Sequence, residues 1–140
     1  MNDRLNAAWW SLRLAFFLGP FLAGADKFLH FLTDWDKYLS PMAKNVLGGW
    51  GHPFMLLVGV VEMIVGIMVL TNWTRIGAYV ASLWLLLIAI NLVTFGQTYL
   101  DIALRDVGLC LCAFGLAKLT EARAMAAARE QEKPPVTRAA

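Results

Sequence analysis

FMLLVGVVEMIVGIMVL, residues 54–70, carries one charged side chain, Glu62, among sixteen uncharged residues. A charge at the centre of a hydrocarbon layer costs about 3 kcal/mol on insertion scales, so such a residue faces a partner, a cavity or a substrate path. Reading outward, three further apolar stretches appear, at 6–32, 76–95 and 99–119, and each is also interrupted by charged or amide side chains. A helix needs about 20 mostly apolar residues to cross a ~30 Å core, and all four stretches approach that length. The 54–70 stretch is short, but Pro53 can serve in its first turn.

Composition agrees. At 140 residues, 59% hydrophobic, 16% charged and with a mean hydropathy of +0.60, the chain is too apolar for an ordinary soluble domain. Cys110 and Cys112 stand two apart inside an apolar helix, about 200° from each other, so they read as buried thiols and not as a disulfide. There is no Gly-rich phosphate loop, no Ser/His/Asp signature and no basic stripe for nucleic acid. Asn72-Trp73-Thr74 and Gly96-Gln97-Thr98 are tight connections, which imply antiparallel neighbours. The expected fold is all-α: an integral membrane four-helix up-down-up-down bundle over residues 1–120. A tail over 121–140 begins as a helical extension and loses structure at Pro134-Pro135.

Charge orients it. Arg4, Arg75, Lys118, Arg123, Arg129, Lys133 and Arg138 fall on one side, Lys37 and Lys44 on the other. The positive-inside rule then places both termini in the cytoplasm of a bacterial cell, with the chain multi-pass in the inner membrane. The 33–52 loop faces outward, with Trp35, Tyr38 and Trp50 at the boundary, and the Asn72 sequon faces the cytoplasm, where it is meaningless. A competing reading takes Met1–Arg13, Leu14–Leu22 and Ala23-Gly24-Ala25 as a signal peptide with its cleavage site. The return of apolar residues at Phe28, Leu29, Phe31 and Leu32 speaks against it.

Depth and phase bring the polar residues together. Asp26, Lys27 and His30 lie near the outer end of the first span. Glu62 lies about 12 Å below the outer surface at 1.5 Å per residue. Asn91, Asp101, Arg105 and Asp106 occupy the same leaflet. At 100° per residue, Gly59, Glu62 and Gly66 share a face. So do Gly19, Ala23, Asp26 and His30; Gly77, Ala81, Trp84 and Asn91; and Asp101, Arg105, Gly108, Cys112 and Gly115. Small residues let membrane helices approach, so these faces are expected to point into the bundle, with Asp106 turned to a different neighbour. Asp101 and Arg105 have the i, i+4 spacing of a pair, and Arg13 is expected to snorkel to the cytoplasmic surface. Such a cluster is either an ion-pair network that locks the register or a pocket. In the pocket, Glu62 or Asp26 accepts protons and Arg105 and Lys27 hold an anion or carbonyl oxygen. A haem or metal can be drawn between His30 and His52, but two boundary histidines give it little support, and no metal is expected.

At the level of motifs the chain resembles the DoxX family of small four-helix membrane proteins. The likeness rests on Leu12-Arg13-Leu14, Gly24-Ala25-Asp26-Lys27-Phe28, Trp35-Asp36-Lys37-Tyr38-Leu39-Ser40-Pro41, Val61-Glu62-Met63-Ile64-Val65-Gly66 and Arg105-Asp106-Val107-Gly108-Leu109. It covers about residues 9–119 and excludes the tail; each motif is short, and their order and spacing carry the specificity. The resemblance implies a membrane subunit or accessory of an oxidoreductase or stress-response system, with a quinone as the implied cofactor and a soluble or membrane oxidoreductase as the implied partner. Two other functions suit the same cluster: transport of a small solute, which with four spans calls for a homo-oligomer, and a non-catalytic anchor or assembly factor.

Overall fold

A computed structural model describes residues 3–132, and among them the chain is all-helical. Lys133, Arg138 and the Pro134-Pro135 break lie outside the described residues, as does the start of the signal-like segment. Four long helices run α1 Asp3–Leu29, α3 Gly51–Leu70, α4 Thr74–Val93 and α5 Leu100–Gln131; a short α2, Pro41–Leu47, lies in the connection between α1 and α3. α1 lies along α3 and α4 along α5, with α3 against α4 and α1 against α5. Neighbours run antiparallel: Trp9 Nε1 near the start of α1 donates to Thr120 Oγ1 late in α5, and Ser82 Oγ donates to the Cys110 carbonyl.

Local chemistry sets the ends. α1 stops at Leu29, three residues before the expected 32, because His30 takes a left-handed φ of 55° and the carboxylate of Asp26 collects the backbone N–H groups of Phe31 and Leu32. Ser40 caps α2 by accepting from Ala43 N–H, with Pro41 in the first turn, and Gly48 ends it at φ 54°. The α3–α4 turn is held by Thr74 Oγ1, which donates to the carbonyls of Val69 and Thr71. α5 continues through the alanine-rich segment to Gln131 without a break.

Packing relies on small side chains. On α4, Ala78, Ala81 and Ala89 are buried, and on α5 Ala103, Ala113 and Ala117, with Leu92 and Leu116 filling between. The tightest approach is between α1 and α3. A Cβ added to Gly24 would stand 2.4 Å from the Gly59 carbonyl oxygen, and one added to Gly59 would stand 2.7 Å from that of Gly24. Large apolar side chains turn outward instead, among them Leu18, Leu22, Leu57, Ile64, Leu83 and Leu111.

Two of the expected inward faces are displaced. α1 buries Trp9, Arg13, Phe16, Gly24, Asp26 and Lys27, a seam that keeps Asp26 of the predicted face but is rotated from the rest of it, with Gly19 and His30 exposed. On α5 the face of Asp101, Arg105, Gly108, Cys112 and Gly115 points away from the other helices, and no atom approaches a Cβ position on Gly108 or Gly115. Ala103, Asp106, Ala113, Leu116 and Ala117 point inward in its place. Both periodic faces satisfy the small-residue pattern, and α4 matches the alanine one. Cys112 is therefore exposed on this protomer, against the expectation of a buried thiol, while Cys110 is half-buried beside Ser82.

The Gly24–Gly59 contact leads to a test. Gly24→Ala drives a methyl into backbone and is expected to cost about 1–3 kcal/mol, as overpacking does. Gly19→Ala, in open space, leaves the melting temperature in detergent unchanged. Equal melting of both variants would mean that the two helices do not cross there.

Candidate functional site

α1 and α3 run antiparallel and meet backbone to backbone at Gly24 and Gly59, so Lys27 and Glu62 flank this crossing on opposite sides, and the Lys27 side chain runs past Gly59 to reach Glu62. Nζ stands 2.5 Å from Oε2, and the side chains are 3% and 9% exposed. This is a fully desolvated ion pair, which holds only where the partners stay matched. The Trp35 ring covers the ammonium group at 4.0 Å, a cation–π contact that replaces part of the lost hydration. Asp106 enters from α5, 4% exposed, and its carboxylate acts on Glu62. Arg105 reaches back over it from the exposed edge of the same helix, with Nε and Nη2 donating to Oδ1 at 3.2 and 3.1 Å. The expected Asp101–Arg105 pair does not form; adjacent Asp106 is the buried carboxylate, and Arg105 turns to it while Asp101 stays exposed.

Trp84 of α4 completes the enclosure. Its indole N–H reaches into the field of the Glu62 carboxylate but falls short of hydrogen-bond geometry, so Nε1 is buried without a partner. Glu62 is thus its nearest acceptor, and a buried donor held short of a full hydrogen bond marks a place where a water or ligand atom could bridge the two.

The other predicted residues are engaged elsewhere. Asp26 is committed elsewhere: besides Phe31 and Leu32 N–H it accepts Trp35 Nε1 at 2.8 Å, so it ties the connection between α1 and α2 to the end of α1. Asn91 Nδ2 donates to the Tyr38 carbonyl at 2.8 Å and anchors the same loop to α4. The His30 ring stacks on His52 at 5.8 Å, and His52 Nδ1 stands 2.8 Å from Asp36 Oδ2. Lys27, Glu62 and Asp106 are thus brought together with Arg105 at the rim, while His30, Asn91 and Asp101 are not.

Two functional groups escaped the candidate set. Trp84 was legible only as part of an inward face, since a missing hydrogen bond has no signature in sequence. Arg13 does not snorkel outward: at 8% exposure it donates from Nε to the Val69 carbonyl at 2.9 Å and from Nη2 to those of Leu70 and Thr71 at 2.5 and 2.6 Å. It caps the C-terminus of α3, where carbonyls lack intrahelical partners and the helix dipole is negative.

Compared with protein-family models, curated proteins and solved structures, the chain matches none.

Energetic coupling across the pair is testable. Lys27→Met or Glu62→Leu alone strands one buried charge and is expected to cost about 3–5 kcal/mol. The double variant should melt above both single variants, because it leaves no charge behind. Additive losses would show that the two groups do not interact.

Proposed function

We propose that this chain is a multi-pass protein of the bacterial inner membrane, a four-helix bundle of the DoxX type with both termini cytoplasmic. In this reading it serves as a quinone-interacting membrane subunit or accessory of an oxidoreductase. Two runs, Pro41–Leu70 and Thr74–Val93, are long and apolar enough to cross a membrane, and only 33% and 28% of their apolar windows are buried, as suits helices solvated by lipid. α1 buries Arg13, Asp26 and Lys27, α5 buries Asp106, and both turn leucines outward, which supports placing them in the same layer, although Arg105 and Lys118 of α5 are exposed.

The observation that carries the functional reading is the buried Trp84 Nε1, directed at Glu62 but short of hydrogen-bond geometry, beside the Lys27–Glu62 pair. A quinone headgroup needs donors for its carbonyl oxygens. Trp84 offers one free N–H, and Lys27 Nζ makes one hydrogen bond to protein and keeps further N–H bonds. The donor set therefore fits. When bound, a quinone supplies reversible two-electron, two-proton chemistry. This chain's part is to hold a carbonyl at Trp84 Nε1 and Lys27 Nζ and to exchange a proton at Glu62, with Asp106 as the neighbouring carboxylate.

A second reading, an anchor without chemistry, draws on Asp26 and Asn91, whose hydrogen bonds are spent entirely on the outer loop. Quantifying quinone in protein purified gently from its own membranes separates the two. The redox reading expects stoichiometric quinone in the wild type and a loss of about tenfold or more in Trp84→Phe, as follows from removing one buried hydrogen bond, with melting unchanged. Wild-type protein free of quinone would favour the anchor. Topology has its own check: green fluorescent protein fused after the last residue should fluoresce, and alkaline phosphatase inserted at Lys44 should be active. The opposite pattern would invert the bundle.

A further inference from the structure

At the other end of the bundle from Glu62, a cavity of about 650 Å³ opens between the start of α1, the α3–α4 turn and the extension of α5. Arg13 lines it, and so do Arg75, Asn72 and Glu121, with Trp9 and Met125 as apolar wall. From this we infer a phosphate-binding site for the headgroup of an anionic phospholipid at the inner boundary of the membrane; the inference rests on the membrane placement proposed above.

Arg13 carries the argument. It is more than nine-tenths buried, yet the ion pairs among the described residues are Lys27–Glu62, His52–Asp36, Arg105–Asp106 and Lys118–Glu121, and none includes it. Carbonyl oxygens satisfy Nε and Nη2 but bring no net charge, and Nη1 makes no hydrogen bond. Capping α3 explains where two nitrogens point. It does not explain a guanidinium without a counter-ion on the wall of a cavity, facing a second arginine. Nor does Glu121 supply the missing charge, since it is committed to Lys118 Nζ at 3.0 Å and Tyr79 OH at 2.9 Å. Lys118 first, then Tyr79, hold its carboxyl below the usual range. Arg13, Arg75 and Lys118 therefore stand against one carboxylate, a local excess of positive charge that a phosphate oxyanion would balance. The donors on offer are Arg13 Nη1, the Arg75 guanidinium and the Asn72 amide. Arg13 lies against both members of the edge-to-face Trp9–Trp10 pair, at 4.6 and 4.8 Å, so the charge is held in place before any ligand arrives. Trp10, exposed beside it, offers an apolar surface on which an acyl chain can lie.

The test uses full-length protein stripped of lipid in a neutral detergent. Native mass spectrometry follows its titration with phosphatidylglycerol, with phosphatidylcholine of the same acyl chains, and with sodium phosphate. One phosphatidylglycerol should bind at a concentration about tenfold below that of phosphatidylcholine. Arg75→Gln, on an exposed side chain, should abolish that preference at unchanged melting temperature, whereas Arg13→Gln should lower both. Displacement of the lipid by equimolar inorganic phosphate would overturn the lipid assignment in favour of a soluble phosphate compound. Equal uptake of both lipids by the wild type and Arg75→Gln, with no phosphate adduct, would overturn the site itself. Recovery of the chain in the soluble fraction of a lysate would sink the membrane placement alone, and the phosphate arm would still decide the site.

Discussion

Two glycines facing each other, Gly24 on α1 and Gly59 on α3, set the distance on which the rest of the structure depends. Their backbones approach so closely that no side chain fits between them, and across this crossing the Lys27 side chain passes Gly59 to meet Glu62 in a 2.5 Å contact with almost no exposure. In the membrane placement proposed here, hydrocarbon would give helices little reason to associate, since lipid tails are as apolar as leucine. Close van der Waals contact and buried polar pairing supply the drive. The alanine faces of α4 and α5 follow the same logic, and the leucines and isoleucines are left to face outward.

Several of the buried polar groups are spent on the backbone. Asp26 gathers the N–H groups that α1 leaves unpaired, and Arg13 gathers the carbonyls at the end of α3. A buried backbone group left unsatisfied costs several kcal/mol, which is reason enough to keep a charge at each of these helix ends. Trp35 links the outer cap to the ion pair by donating to Asp26 while its ring lies over Lys27. What remains after these structural duties is small and specific: the indole N–H of Trp84, the second carboxylate at Asp106, and the uncompensated guanidinium of Arg13. The two ends of the bundle thus present different chemistry, a paired acid–base cluster with a free donor at one and an excess of positive charge at the other.

Sequence alone determined the helical class, the antiparallel order of the long helices and the placing of Glu62 on an inward face near the charged end of α1; the pairing of Glu62 with Lys27 came from the tertiary structure. Sequence settled its share because apolar runs of fixed length, short connections and the phase of Gly59, Glu62 and Gly66 leave few alternatives. It misread α5, where Asp101, Arg105, Gly108, Cys112 and Gly115 form as regular a seam as Ala103, Asp106, Ala113 and Ala117. Two faces of one helix satisfied the same small-residue rule, and only packing against α4 chose between them. The roles of Asp26, Arg13 and Trp84 were likewise out of reach. A cap, a counter-ion deficit and a missing hydrogen bond are relations between distant groups. Spacing along one helix places a side chain on a face, but the tertiary structure decides which partner, if any, meets it there.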